Sequence, residues 1–148
     1  PHPEGGFYKE TYRSEGSIVL DNKKVRPHST AIYFLMEAAN FSAFHRIQSD
    51  ELWHFYDGDP LEVFYFDKNG LLIRILLGSN PEKGEEMQAV VPAKAWFGSR
   101  PCDGSLYSLV GCTVSPGFDF EDFEMAKKNQ LLMEYPEHAK IIEELTRD

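Results

Sequence analysis

Short segments rich in β-branched and aromatic residues recur along this chain at intervals of about a dozen residues, with turn-forming residues between them. The clearest turn is Asn69-Gly70, because this dipeptide readily accepts the positive φ values of a tight β-hairpin. Regularly spaced short strands joined by turns are typical of a β-sandwich or a β-barrel. The chain is therefore predicted to form a single all-β domain over residues 1–148.

The β-type segments place the predicted strands at residues 7–12, 17–20, 30–37, 41–45, 51–56, 61–66, 71–77, 88–91, 95–97 and 106–114. Val25 is predicted to pair with the second of these segments, residues 17–20, in a small hairpin. Beyond Phe123 the pattern changes to helix formers, and a helix is predicted over residues 125–133. Pro136 stands at the first position of a second predicted helix, where its missing N–H has no partner to lose. These C-terminal helices are expected to cap the barrel or an interface.

The composition restricts the classes of partner. A net charge of −9 argues against nucleic acid, since phosphate binding needs clustered Lys and Arg, and against an anionic membrane surface. No apolar run approaches the roughly 18 residues of a membrane span, and no signal peptide is visible. Cys102 and Cys112 are the only cysteines, so two reduced thiols in a cytoplasmic protein are expected. The motifs of dinucleotide-binding folds, P-loops and serine-hydrolase elbows are absent.

A histidine, a carboxylate and a glycine follow one another at a distinctive spacing in the middle of the chain. Five residues separate His45 from Glu51, and six separate Glu51 from Gly58. This spacing resembles the first motif of the cupin superfamily, whose small β-barrels hold a metal or a sugar in their mouth. The resemblance implies a pocket with His45 and Glu51 in its wall, and a second motif at residues 90–97.

Four blocks of the chain, residues 2–14, 41–58, 88–97 and 111–124, resemble one family in particular. This is the uncharacterised cupin-like family DUF985 (cupin_5), whose members are often described as predicted sugar epimerases. The resemblance implies a cupin double-stranded β-helix (jelly-roll) barrel with C-terminal helices, and usually a homodimer. It also implies similarity to sugar-nucleotide 3,5-epimerases, which use a His base without a metal. Members commonly begin with an N-terminal helix that this chain lacks, so we expect an upstream segment to have been trimmed or to be disordered.

The usual metal ligands of cupins are incomplete in this sequence. The family set is two His and one Glu in the first motif and one His in the second, but here only His45 and Glu51 are present, and Phe97 occupies the second-motif position. His54 could replace a missing ligand, although residues three apart on a regular strand face opposite sides. No metal and no cofactor are therefore expected, and a metal-dependent oxygenase or isomerase is the weaker alternative.

His45 is the predicted catalytic base, because an imidazole can take or give a proton near neutral pH. Asp50 and Glu51 are close enough in sequence to orient it or to stabilise its charge. A His base with a carboxylate partner suits proton abstraction next to a sugar carbonyl. The alternative for His45 is a hydrogen-bonded structural residue.

Several other side chains are predicted to bind the substrate. Gln88 would bond a ligand hydroxyl, or else a backbone carbonyl, since an unpaired buried amide costs ~1–3 kcal/mol. Trp53 and Trp96 would form a stacking wall, with plain core packing as the alternative. Lys94 stands where the resembled family usually has Gly and would favour an anionic ligand such as a nucleotide sugar, with Phe97 beside it in the same motif.

The first predicted strand offers two pairs of side chains. Glu10 and Tyr12 share one face, and Thr11 and Arg13 share the other. Glu10 and Tyr12 are predicted to enter the pocket. The alternative is an edge strand on which Glu10 and Arg13 form a surface ion pair.

These observations predict a cytoplasmic, homodimeric cupin whose pocket takes a carbohydrate-like or nucleotide-linked small molecule. The predicted reaction is epimerisation or isomerisation through an enolate, with His45 as the base. The alternative is a cupin that binds a small molecule without catalysis.

Overall fold

The fold is built from two antiparallel five-stranded sheets that enclose the main core. The computed structural model describes residues 1–148. Its strands are β1 (Phe7–Arg13), β2 (Ser17–Val19), β3 (Val25–Pro27), β4 (Thr30–Glu37), β5 (Ser42–Arg46), β6 (Asp50–Gly58), β7 (Leu61–Phe66), β8 (Leu72–Leu77), β9 (Gln88–Val91), β10 (Phe97–Pro101), β11 (Tyr107–Ser115) and β12 (Glu124–Met125). The first sheet has the order β1-β4-β11-β6-β9 and the second β12-β5-β10-β7-β8, while β2 and β3 form a separate hairpin. The predicted all-β architecture is confirmed.

Alternation along β6 shows how the sequence selects the inner face of the first sheet. Glu51, Trp53 and Phe55 are buried, whereas Leu52 between them is exposed. Apolar side chains from both sheets meet on the inside and form a cluster of 14 buried residues, in which Phe34 and Phe97 are among the largest. Burial on this scale is the main force that holds the two sheets together.

The C-terminal helices cover the outer side of the second sheet. They are α1 (Lys128–Glu134) and α2 (Ala139–Glu144), and a short 3₁₀ turn at Pro136–His138 directly precedes α2. Leu131 and Ile142 are completely buried against side chains of β5 and β7, which creates a second cluster of eight residues. No helix in the structure is long and apolar enough to cross a membrane.

Most predicted strand bounds differ from the observed ones by one or two residues, and two elements begin clearly later than predicted. The helix predicted from residue 125 begins at Lys128, because Glu124 and Met125 pair with β5 as a short strand. The strand predicted at residues 95–97 lies at Phe97–Pro101, because the chain turns at Lys94, whose φ is 69°. As a result, Phe97 of β10 stands directly opposite His45 of β5 in the second sheet.

Candidate functional site

A cavity of about 450 Å³ lies on the inner face of the first sheet, and eight of its 16 lining residues are hydrophobic. Its size falls within the range of small-molecule sites, roughly 300–1,000 Å³. The lining residues come from β1, β4, β5, β6 and β11, from the loop between β5 and β6, and from the segments before β1 and after β11. They are His2, Glu4, Tyr8, Glu10, Arg13, Thr30, Ile32, His45, Ile47, Glu51, Cys112, Val114, Phe118, Asp119, Phe120 and Phe123.

His45 is held from every side within the cavity wall. Its Nδ1 lies 2.6 Å from the carbonyl oxygen of Ala43, and its Nε2 contacts the Glu4 carboxylate in a buried ion pair. The carboxylate oxygen Oε2 of Glu4 has no donor in regular hydrogen-bond geometry, so charge attraction is the main component of this contact. Phe97 and Phe123 pack on the ring, with centroid distances of 4.1 Å and 5.2 Å. Both ring nitrogens are therefore already engaged by the protein.

The contact between Glu4 and His45 favours the charged form of each group. Burial disfavours the imidazolium, but the charge and close contact of Glu4, with the Ala43 carbonyl, outweigh it and raise the pKa of His45 above its ordinary value. Burial also acts to raise the pKa of Glu4, and the His45 charge outweighs it, so the pKa of Glu4 lies below its ordinary value. Burial lowers the pKa of His2, the nearest other imidazole, which keeps that ring neutral.

Glu51 is a buried carboxyl group that forms no ion pair with a cationic side chain. It lies on β6 with 9% of its surface exposed. Burial, and then the charge of Glu4, raise the pKa of Glu51 from 4.5 to about 7, against smaller opposing effects of His45 and the Cys112 thiol. Burial and Glu51 in turn raise the pKa of Cys112 well above its ordinary value, so this thiol stays protonated. Glu51 can therefore both take and give a proton near pH 7.

Glu4 reaches His45 because the segment before β1 folds back under β5. The Ala43 amide donates to the Glu4 carbonyl at 2.7 Å, and the Gly5 amide donates to the His2 carbonyl at 3.0 Å. Gly5 has a φ of +118°, and a Cβ there would overlap the Phe41 carbonyl oxygen, so only glycine fits. Sequence reasoning missed His2 and Glu4 as site residues. Two consecutive glycines directly after an acidic residue were the available signal.

The first strand brings Glu10 and Arg13 together at the exposed side of the cavity. A bulge between Glu10 and Tyr12 breaks the alternation of β1. As a result Arg13 binds the Glu10 carboxylate at 2.7 Å and also donates to the Phe118 carbonyl at 3.2 Å. Both side chains line the cavity while remaining about half exposed. Tyr12, predicted to accompany Glu10, is 56% exposed and lies outside the cavity.

Aromatic residues after β11 form one wall of the cavity. Phe118 and Phe120 meet edge to face at 4.8 Å, and Phe123 follows them in the chain. Tyr8 of β1 lines the same cavity and lies 4.9 Å from the His2 ring. Sequence reasoning placed the aromatic wall at the tryptophans instead, because it could not tell where the segment after β11 would fold.

The predicted tryptophan wall is not formed. Trp53 is 2% exposed in the main core, and Trp96 packs in the second core under the Arg46 guanidinium, 4.1 Å from its ring centroid. Both tryptophans therefore pack in a hydrophobic core, which was the alternative to a stacking wall. Asp50 likewise does not approach His45, because its carboxylate accepts the Ala93 amide at 2.7 Å on the surface.

The remaining predicted ligand contacts also lie outside the cavity. Gln88 is exposed because it alternates with buried Ala89 along β9. Lys94 is exposed on the turn before β10, where its φ is positive, and it does not line the cavity. Phe97 supports the cavity indirectly, as the ring on which His45 packs.

The donor groups of the cavity do not form the metal-ligand set that the family resemblance implies. Phe97 stands directly across from His45, and the ring nitrogen of His45 that could ligate a metal is paired with Glu4. His54 lies on the opposite face from Glu51, as the strand alternation predicted, and its Nε2 lies 3.1 Å from the Thr113 hydroxyl. No group of three or more His, Cys, Asp or Glu side chains is arranged to hold a metal ion.

Comparison with known proteins assigns the family. Residues 1–126 match the family described as Cupin superfamily (DUF985). The chain belongs to this family. This cupin is also 26% identical over 140 residues to an uncharacterized protein of Saccharomyces cerevisiae, a match that covers 85% of the chain and 69% of the yeast protein.

Solved structures show the same fold. A hypothetical protein from Leishmania major is 39% identical, with a TM-score of 0.92 over 100% of this chain and 93% of its own. Protein SO0799 from Shewanella oneidensis is 40% identical, with a TM-score of 0.90 over 99% of this chain and 89% of its own. Oxalate decarboxylase from Bacillus subtilis, at 11% identity, has a TM-score of 0.61 over 96% of this chain and 35% of its own, and is similar in fold alone. The predicted cupin jelly-roll barrel with C-terminal helices is confirmed.

Proposed function

We propose that this cupin binds a carbohydrate-sized molecule in the cavity and moves a proton within it, as an epimerase or isomerase. The observation that carries the proposal is the position of Glu51, a buried carboxyl group in the cavity wall with no cation of its own. The charged Glu4–His45 pair stands beside it. Enzymes commonly prepare a carboxyl group for proton transfer at neutral pH by burial of this kind.

The proposal gives the acid–base role to Glu51 and a positioning role to His45. His45 was expected to be the base, but its Nδ1 faces Ala43 and its Nε2 faces Glu4, so neither nitrogen is free for a ligand. Its positive charge instead lies close to the place where negative charge develops. This arrangement favours an anionic intermediate electrostatically.

The chemistry is a proton transfer at a carbon next to a carbonyl group. The Glu51 carboxylate takes the proton, the C–H bond breaks, and its electron pair enters an enolate. For epimerisation, the enolate turns over in the cavity and the neutral Glu51 carboxyl returns the proton to the opposite face of the same carbon. For isomerisation, Glu51 returns the proton to the neighbouring carbon, while the hydroxyl proton of the substrate moves from one oxygen of the enediol to the other. His2 and Tyr8 line the cavity and offer N–H and O–H donors to the enolate oxygen.

Exchange with solvent tests this function directly. A panel of aldoses and ketoses is incubated with the protein in D₂O, and deuterium at carbon next to the carbonyl is measured by NMR. The wild type should catalyse exchange into at least one sugar, and Glu51→Gln, which keeps the shape but removes the base, should abolish it. Glu82→Gln, an exposed change outside the cavity, should leave exchange unaltered. Equal exchange rates in Glu51→Gln and wild type would contradict the role of Glu51.

The second candidate is a cupin that binds a small molecule without catalysis. It is favoured by the engagement of both nitrogens of His45, which removes the catalytic base that the sequence predicted. Binding by calorimetry without deuterium exchange would identify this second function.

The homodimer and the cytoplasmic location belong to the same proposal. The outer face of the first sheet exposes Tyr33, Leu52, Tyr56 and Val90, by 50%, 38%, 53% and 48% respectively. An exposed face of this composition suits the same face of a second copy, related by a two-fold axis. The two free thiols accord with a reducing compartment.

A further inference from the structure

We propose that the cavity selects an uncharged, polyhydroxylated ring and rejects sugars that carry phosphate or carboxylate. This inference rests on the proposed function, because it takes the same cavity as the ligand site. It goes beyond that function by excluding nucleotide-linked and phosphorylated substrates, which the family resemblance had left open.

Every cation in the cavity wall is already neutralised by a carboxylate. Arg13 and His45 are the only charged cationic side chains among the lining residues, since burial keeps His2 neutral. Arg13 is paired with Glu10 at 2.7 Å, and His45 is paired with Glu4. An anionic ligand group would find no guanidinium or imidazolium without first displacing a carboxylate of the protein.

The same wall carries further acidic groups. Asp119 lines the cavity close to Arg13, and Glu51 adds a second carboxyl group that ionises near pH 7. Like charges brought together in a partly dehydrated site repel strongly. A phosphate in this cavity would therefore meet more negative than positive charge.

The cation expected near the mouth is located elsewhere. Lys94 was predicted to attract an anionic ligand, but it is exposed on the turn before β10 and does not line the cavity. Arg26 is also buried, but its guanidinium donates two hydrogen bonds to the Asp122 carboxylate, at 2.8 Å and 2.9 Å. Arg13 is the only Lys or Arg residue that lines the cavity.

The wall suits the two kinds of surface that a neutral sugar ring presents. Hydroxyl groups can donate to the carboxylates of Glu10, Glu51 and Asp119, which are strong acceptors. The C–H face of the ring can pack on Phe118 and Phe120. Apolar walls with a few convergent polar groups are the usual composition of small-molecule sites.

Matched pairs of sugars test the inference by calorimetry or ligand-observed NMR. The probes are neutral hexoses, pentoses and polyols, the phosphates and uronic acids of the same sugars, and the corresponding nucleotide sugars. The wild type should bind at least one neutral member and should bind its anionic counterpart more weakly by about tenfold or more. Glu10→Gln should narrow or reverse this difference, because it frees the Arg13 guanidinium. Glu82→Gln changes the net charge equally and should leave the difference intact.

The outcomes separate this inference from the proposed function. Neutral binding without deuterium exchange would support the inference and contradict the acid–base role. Exchange into a phosphorylated or nucleotide-linked sugar would support the acid–base role and overturn the inference. A panel in which no neutral member binds would also overturn it.

Discussion

Glu4 and His45 form a buried ion pair that joins the segment before β1 to the inner face of the second sheet. The pair sets the charge of the cavity wall, since the carboxylate keeps the imidazole protonated and also raises the pKa of Glu51. A single contact thus links the anchoring of the N-terminal segment to the protonation of the proposed acid–base group.

Removal of the Glu4 carboxylate should be strongly destabilising. Glu4→Gln leaves the protonated His45 without its partner, and breaking a buried ion pair in this way typically costs about 3–5 kcal/mol. Urea denaturation at neutral pH measures the loss. Glu10→Gln, which breaks a half-exposed pair, is the matched control and should cost within about 1 kcal/mol. Equal losses in the two variants would contradict the buried character of the Glu4–His45 pair.

Glu51 should make the protein less stable as the pH rises through neutrality. Its pKa is raised from 4.5 to about 7, so the folded state holds this proton more tightly than the unfolded state does. The resulting stabilisation is complete below pH 4.5 and is lost as the pH passes through about 7. Between about pH 4 and pH 8, the free energy of unfolding of the wild type should fall relative to that of Glu51→Gln by on the order of 3 kcal/mol. Parallel pH profiles of the two proteins would refute this.

Gly5 should be irreplaceable, and the chain offers a control that isolates the cause. Gly5→Ala combines an unfavourable positive φ with an overlap on the Phe41 carbonyl, whereas Gly84→Ala has a positive φ with no atom within 4 Å of the added Cβ. Gly84→Ala should cost about 1 kcal/mol, and Gly5→Ala clearly more. Hydrogen exchange should show loss of protection at the Ala43 amide, which donates to Glu4, in Gly5→Ala alone. Intact protection there would show that the segment tolerates the extra methyl group.

A charge on the outer face of the first sheet should disrupt the proposed dimer. Leu52→Lys places an ammonium group at a position that is 38% exposed in the single chain and would be buried in the dimer. Light scattering coupled to size exclusion should show a shift to the monomer mass. Met133→Lys, on the 84% exposed side chain of α1, should leave the mass unchanged. A wild type that is monomeric at high concentration would rule the dimer out.

The fold was predictable because its signals are local. The strands at Thr30–Glu37, Leu61–Phe66 and Gln88–Val91 have the predicted bounds, since alternation and flanking turns mark them directly. Helix α1 was placed three residues too early because Met125, the first residue of the predicted helix, pairs with β5 instead. Such a pairing depends on tertiary structure that local propensity does not contain.

The site was only partly predictable. Three of the predicted residues, His45, Glu51 and Glu10, line one cavity. They could be identified in the sequence because a motif spacing and strand alternation mark them. Trp53 shares the inward face of Glu51, but the sequence does not say how deep along the barrel each residue lies, and Trp53 falls in the filled interior. Glu4 was missed because its role depends on a segment that folds back across the sheet.

Phe44 and His45 are neighbours on β5 and point to opposite sides, one toward the helices and the other toward the cavity. The second core between the helices and the second sheet therefore contributes cohesion without touching a ligand. Substitutions among its residues, such as Leu131 or Ile142, would change the melting temperature and leave affinity intact. The free energy of folding supplied by this layer is therefore independent of the cavity wall, so that substitutions in the wall can change ligand binding without loss of the barrel.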